Sequence, residues 1–221
     1  MNILIVNDDG IGSESLLPLQ KVLQTFGTAF ACVPDGERSG SSHATRKYEI
    51  LEENFSKSGK GENIYIHTGT AADSVKFFRK FVAKEIDLVV SGVNGGFNLG
   101  RDIVYSGTVG AALEANMYGI RSIALSARQH GKNYWDILPG LLNQLIYDTD
   151  WNGAMCLNVN FPDQLDLLDV SIRFTSIAQT PKPAQGDNDY NLCRNQGFIT
   201  ITPLQLDLTD AKSLERFKNL S

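Results

Sequence analysis

From residue 1 to about residue 160, short apolar runs alternate with stretches whose apolar residues recur at helical spacing. The runs are Ile3-Leu4-Ile5-Val6, Ala29-Phe30-Ala31-Cys32-Val33, Leu88-Val89-Val90, Ile123-Ala124-Leu125 and Met155-Cys156-Leu157-Asn158-Val159. An apolar run this short, without polar alternation, reads as a strand buried on both faces, the mark of a parallel sheet. Between the runs, Leu16, Leu19, Val22, Leu23 and Phe26 share one helix face, with Pro18 tolerated near the start and Gly27 available as a C-cap. Thr70 and Asp73 form a capping box ahead of Val75, Phe78 and Val82. A further helix runs from near Thr108 to Asn116 or Met117, and another covers 134–147, where Tyr134 and Trp135 pack it. This repetition predicts an α/β fold: a Rossmann-like, doubly wound, mostly parallel sheet with helices on both faces.

Other stretches break the pattern. Arg46–Phe55 and Ile64–His67 read as extended segments. After Pro162, Val170–Phe174 and Phe198-Ile199-Thr200-Ile201 read as antiparallel strands, a C-terminal β-hairpin or arm, separated by the polar stretch Pro181–Asn195. A short helix follows over Asp210–Phe217. The chain is read as one α/β domain, 1–221, with 163–221 as a C-terminal extension. Lacking a core of its own, that extension either packs on a partner subunit as an oligomerisation arm or folds back on the same sheet.

A chain of 221 residues with 42% hydrophobic residues supports one sizeable core. Its net charge of -5 speaks against binding a nucleic-acid polymer or acidic lipid, which needs basic patches. A small anionic ligand remains open, because one local cation outweighs the global field. No stretch approaches the length of a membrane span, and the N-terminus lacks the basic start of a signal peptide. Cys32, Cys156 and Cys193 form no CxxC pair, so neither a disulfide framework nor a zinc site is expected, and the first two read as small core residues. A cytoplasmic location is the expectation.

In a doubly wound sheet, ligands bind beyond the carboxyl ends of the strands. The loops that would meet there carry Asp8-Asp9-Gly10, PDGERSGSSHAT and SGVNGGFNLGRDIVYSGT. Adjacent carboxylates repel, and one keeps a proton unless a cation sits between them. Asp8 and Asp9, with the Ser39 hydroxyl and the Asn94 amide oxygen, form a hard donor set suited to Mg2+, Mn2+ or Ca2+. The bland reading of Asp8-Asp9 is a turn plus a helix N-cap, and Ser39 and Asn94 are common loop residues. Asn94-Gly95-Gly96 allows close backbone approach, and Ser106-Gly107-Thr108 opens an apolar helix whose free N–H groups suit a phosphate. Plain capping by Ser106 or Thr108 is the alternative. GGFNLG is not a dinucleotide fingerprint, and no GxxxxGK[ST] loop is present. His43 lies near the proposed site, as a substrate contact or proton shuttle or as a partly exposed loop residue; His67 and His130 receive no role.

Taken in order, NILIVNDDG, PDGERSGSS, SGVNGGFNLGRDIVYSGTVGAALEA, LNVNFP and GFITITPL strongly resemble the survival-protein-E family, from Asn2 to about Thr209. The resemblance implies a metal-dependent nucleotidase that hydrolyses nucleoside 5'- and 3'-monophosphates to nucleoside and phosphate. It implies one divalent cation per subunit (Mg2+ or Mn2+, with Ca2+ able to replace them in crystals), held by Asp8, Asp9, Ser39 and Asn94, with Asp8 and Asp9 catalytic. It also implies a homodimer or homotetramer that exchanges the C-terminal arm. Two places depart from the family pattern: Arg101 follows NLG where an acidic or small residue is expected, and Asp189 only approximates the aspartate of a Thr-Asp pair. Two other functions compete. One is a broader phosphatase acting on short polyphosphate or sugar phosphates. The other is a non-catalytic, metal-dependent nucleotide-binding module. A receiver-like domain is disfavoured, because the later strand ends in Ser91-Gly92 without a carboxylate.

Overall fold

Ile3 and Ile5 leave strand β1 (Asn2–Val6) on one side and Leu4 and Val6 on the other, and all are fully buried. A strand patterned this way must be covered on both faces. One cover is made by helices α1 (Leu16–Leu23) and α4 (Tyr134–Asn143), whose leucines pack with Ile3, Ile5, Ile123 and Leu157. The other is made by α2 (Ala71–Phe77) and α3 (Gly107–Met117), where Val75, Phe77, Ala111 and Ala115 pack with Leu4, Val6, Phe30 and Val89. The expected capping box opens α2, with the Thr70 hydroxyl accepting from the Asp73 N–H. The computed structural model describes residues 1–47, 49–53, 63–82, 85–128, 134–151, 156–165, 167, 170–179 and 186–218.

Among these residues the sheet has nine strands. After β1 come β2 (Thr28–Pro34), β3 (Ile50–Glu53), β4 (Ile64–His67), β5 (Leu88–Asn94), β6 (Arg121–Ala127), β7 (Cys156–Phe161), β8 (Ile172–Phe174) and β9 (Ile199–Leu204), in the spatial order β3-β4-β2-β1-β5-β6-β7-β9-β8. Strands β4 through β7 of that order run parallel. The chain winds outward from β1 through β2 to β4, then returns to β5 and winds the other way. This reversal opens a crevice between the carboxyl ends of β1 and β5, where such sheets bind ligands. The register Val6↔Ser91 brings the residues after both strands together.

The expected elements differ from the observed ones in four places. Helix α1 stops at Leu23 with Gln24 in a helical cap conformation, so Gly27 is not its C-cap; a Cβ there would stand 2.1 Å from the Met1 carbonyl oxygen. Strand β5 continues past Val90 to Asn94, which puts Asn94 at a strand end rather than within a loop. The glycine segment then tightens into a 3-10 turn over Gly100–Val104. In the C-terminal extension, β8 pairs parallel with β9 (Ile172↔Ile199) where an antiparallel hairpin was expected, and β9 lies antiparallel on β7 (Val159↔Ile201). Both strands therefore fold back on the same sheet. Residues 181–185 of the polar stretch, like His130 and Met155, lie outside the described residues, and Asn191–Asn195 forms a π turn. The three cysteines are free and buried. No helix among the described residues is long and apolar enough to cross a membrane.

Candidate active site

Strand β1 delivers Asp8 into the crevice almost fully enclosed, at 4% exposure. The Thr108 hydroxyl, in the first turn of α3, donates to Asp8 Oδ1 at 2.5 Å, and the Thr108 N–H adds a second bond. The Arg38 N–H donates to the Asp8 carbonyl oxygen at 2.6 Å. The first loop, the second loop and the start of α3 therefore meet at one residue. Gly107 makes the meeting sterically feasible: a Cβ there would stand 2.8 Å from Asp8 Oδ2 and 2.9 Å from Ser41 Oγ. The Ser106 hydroxyl accepts from the Val109 N–H at 3.1 Å, so Ser106 caps the helix as the bland reading held. The Thr108 hydroxyl, by contrast, is spent on Asp8.

The electrostatics are one-sided. Burial, then Asp8, then Glu37 push the half-buried Asp9 up to about 6. Burial raises Asp8 as well, against the opposing Thr108 bonds. Among the described residues no Lys, Arg or His forms an ion pair with either aspartate, and Arg38 pairs with Asp35 instead. Crowded carboxylates without a counter-charge fit a hard cation bound among them. Among the described residues no three His, Cys, Asp or Glu side chains converge as a metal cluster. The available donors are instead two carboxylates, a hydroxyl and an amide. Ser39 is exposed and donates to Glu37 Oε1 at 2.8 Å. Asn94 Nδ2 donates to the Gly96 carbonyl at 2.9 Å, which leaves Oδ1 as its accepting end.

A cavity of about 470 Å3 opens beside this group, lined by Asp9 and Glu37 from the first two loops, Val93 and Gly95 from the end of β5, and Tyr134 and Trp135 from α4. Asp9 and Gly95 thus share one wall system, and Asn94 stands between two of its lining residues. Ser39 joins the group through Glu37. Gly96 and the Ser106–Thr108 turn belong to the same long segment, with Thr108 reaching Asp8 from the α3 side. His43 is engaged elsewhere: its Nε2 bonds Glu114 Oε2 on α3 at 2.6 Å. Burial pushes Glu114 up, but hydrogen bonds from His43 and Tyr118 prevail and hold it below the usual range. This pair latches the second loop to α3, as does Ser42, whose hydroxyl donates to the Val104 carbonyl at 2.6 Å. Arg101 is exposed on the 3-10 turn.

Two features escape a reading of the sequence, and a third, Asp189, is visible there without its role. Glu37 sits inside a loop already singled out, but its charge matters only because the fold sets it beside Asp8 and Asp9. Tyr134 and Trp135 look like helix packing until the end of β6 and the start of α4 are seen to wall a cavity. Asp189 is fully buried, with Oδ2 accepting from the Gly100 N–H at 2.8 Å and Oδ1 from the Ala178 and Tyr190 N–H groups at 2.8 and 2.7 Å. It clamps the C-terminal extension onto the glycine segment.

Residues 3–182 match the family model described as survival protein SurE. A 5'-nucleotidase SurE of Clostridium botulinum (strain Langeland) is 33% identical over 251 residues, covering 100% of this chain and 99% of the relative. One from Wolbachia pipientis wMel is 34% identical over 243 residues, covering 99% and 96%. The crystal structure of the SurE protein from Aquifex aeolicus superposes with a TM-score of 0.85 at 29% identity, over 100% of this chain and 99% of the other. With most of its length matched and its fold shared, the chain belongs to the survival protein SurE family.

Proposed function

We propose that the chain is a divalent-metal-dependent phosphomonoesterase that hydrolyses nucleoside 5'- and 3'-monophosphates, acting as a 5'-nucleotidase. The observation that carries this reading is the Asp8-Asp9 pair at the sheet switch point, without a protein cation, with Asp8 enclosed and Asp9 lining a cavity of ligand size. The names of the relatives point the same way. Asp8, Asp9, Ser39 and Asn94 would hold one Mg2+ or Mn2+. When bound, the ion supplies charge neutralisation and an acidified water, the usual contributions of a metal to phosphoryl transfer.

The chain's own residues supply the rest. Thr108 orients Asp8 with two hydrogen bonds. Asp9 would accept the proton of the attacking water. The N–H groups of Gly95, Gly96 and Gly107 would hold the equatorial phosphate oxygens, while those of Ser106 and Thr108 are engaged by the Ile103 carbonyl and Asp8.

The reading includes a cytoplasmic homodimer or homotetramer in which 163–221 is the joining extension. Phe174, Ile177, Leu206 and the 94% exposed Leu208 leave apolar surface along that edge, which supports a subunit contact there. Mass measured by light scattering tests the assembly. The activity is tested by phosphate release from a nucleoside 5'-monophosphate. Release is expected with Mg2+ or Mn2+, lost with chelator and restored by returning the ion. Binding without turnover under every divalent ion would leave a nucleotide-binding module instead.

A further inference from the structure

The stretch LNVNFP takes no part in the chemistry proposed above, yet it sets two asparagines, Asn158 and Asn160, in a strand whose other positions are apolar. Both are fully buried, as is Ser126 of the neighbouring β6. A polar side chain is costly to enclose unless its hydrogen bonds are made. Here they converge on one residue of the glycine segment. Asn160 Oδ1 accepts from the Asn98 N–H at 2.8 Å, and Asn160 Nδ2 donates to the Asn98 carbonyl at 3.1 Å. Asn158 Nδ2 donates to the same carbonyl at 2.8 Å, while its Oδ1 has no partner among the described residues. The Asn98 side chain, itself buried, donates from Nδ2 to Ser126 Oγ at 2.8 Å. The strand register explains the reach. Asn94 pairs with Ser126 and Ser126 with Asn160, so the three form one polar row across the carboxyl ends of β5, β6 and β7. The chain leaves this row at Asn94 and meets it again at Asn98, with Gly95 and Gly96 in the arc between.

We propose that Asn158 and Asn160 are positioning residues for the reaction: they fix the arc 94–98 through the main chain of Asn98. The assignment rests on the phosphomonoesterase reading, in which Asn94 holds the ion and the Gly95 and Gly96 N–H groups hold phosphate. Glycine orders at a higher entropic cost than any other residue, and neither Gly95 nor Gly96 has a side chain to anchor it. Hydrogen bonds that fix both ends of the arc offset that cost before a ligand arrives, and donors held in advance need no reorganisation during the reaction. Being fully enclosed, Asn158 and Asn160 touch neither ion nor substrate and act only through Asn98. Their grip is on main-chain atoms, so the side chain at 98 matters less than the amides at 158 and 160.

Asn160→Ala removes two of the three bonds to the Asn98 main chain. Its Mn2+ dissociation constant, read by electron paramagnetic resonance, is expected to rise by about 10- to 100-fold, the range for loss of a group that orients a metal ligand. Asn98→Ala keeps all three bonds and is expected to bind Mn2+ much as the wild type does. Unchanged affinity in folded Asn160→Ala overturns the proposal, as does an equal loss in Asn98→Ala. Asn158→Ala removes one bond and is read in the same way, with a smaller rise, if Asn160→Ala does not fold. A second measurement needs neither ion nor turnover. In the metal-free protein, amide hydrogen exchange over 94–98 should quicken by about tenfold or more in Asn160→Ala, the effect of one lost hydrogen bond, while β1 and β2 keep their protection. Exchange that quickens evenly across the sheet marks a merely structural role and overturns the proposal. Should the wild type release no phosphate from any monoester while the arc still loosens in Asn160→Ala, the nucleotidase reading falls and the anchor stands.

Discussion

Two buried carboxylates at opposite ends of the chain are treated in opposite ways. Asp189 is fully enclosed and receives three main-chain N–H groups, from Gly100, Ala178 and Tyr190. Asp8 is nearly as enclosed and is bonded by the Thr108 hydroxyl, the Thr108 N–H and its own N–H, yet Asp9 and Glu37 add like charge beside it. Burial raises the proton affinity of both carboxyls, and donated hydrogen bonds oppose it in both. What differs is the balance of the neighbourhood. Around Asp189 the donors fill the acceptor capacity of the carboxylate, which makes it a structural clamp. Around Asp8 the donors are as many, but the negative charge of Asp9 and Glu37 accumulates beside them, which leaves a demand that a bound cation can meet.

The largest expected effect separates the two directly. Asp8→Asn should lower kcat/KM by about 10³-fold, a loss of the size seen when a preorganised electrostatic partner is removed from phosphoryl or acyl transfer. Its melting temperature should hold or rise, because a crowded charge has gone. A variant that unfolds instead would make Asp8 a structural residue and erase the contrast. Asp189→Ala is the converse. It strands three N–H groups, so urea denaturation should show a loss of about 3–5 kcal/mol. A loss below about 1 kcal/mol would mean that those N–H groups find other partners and that the clamp is dispensable.

Thr108→Val keeps the shape of the side chain and deletes one of the donors to Asp8. Stability should fall by about 1–2 kcal/mol and kcat by about tenfold, with KM little changed, if the hydroxyl orients Asp8 for the reaction. A rise in KM alone would assign Thr108 to substrate binding.

The last effect concerns a buried group outside the site and leaves activity untouched. Burial lowers His67 to about 4, with Asp73 and Asp35 partly opposing. Its Nδ1 accepts from the Gly69 N–H at 2.9 Å, which leaves Nε2 as the donor to Ser74 Oγ at 2.8 Å, so the ring sits neutral. A histidine whose folded value lies below its unfolded value favours folding fully above pH 6.5. That contribution is lost as the pH falls from 6.5 towards 4, because the unfolded chain takes up the proton first. Stability should therefore drop by about 2 kcal/mol between pH 7.5 and pH 5 from this residue alone, and His67→Gln should flatten the slope over that window.

Local pattern reveals much of this molecule. Ile3–Val6 and the double acid after it are legible because strand and loop are contiguous in sequence, and the capping box of Thr70 and Asp73 for the same reason. The end of α1 is less legible. Gly27 carries the mark of a C-cap, yet its lack of a side chain answers to Met1, the residue just before β1. The parallel pairing of β8 with β9 leaves no local trace, since no turn chemistry joins the two strands. The roles of Glu37, Trp135 and Asp189 are illegible for a deeper reason. Each acts through partners far along the chain, 89 residues away in the bond from Gly100 to Asp189, and only the folded path brings those partners near.

The reach of Asp189 back to Gly100 sets an order of events during synthesis. The acid pair leaves the ribosome with the first few residues, and the glycine segment with the first half of the chain. The carboxylate that pins that segment emerges only near residue 189. A nascent chain therefore carries its reactive groups long before it can hold them in place, and a message cut short before that codon yields a protein that has every proposed ligand and an unfinished rim.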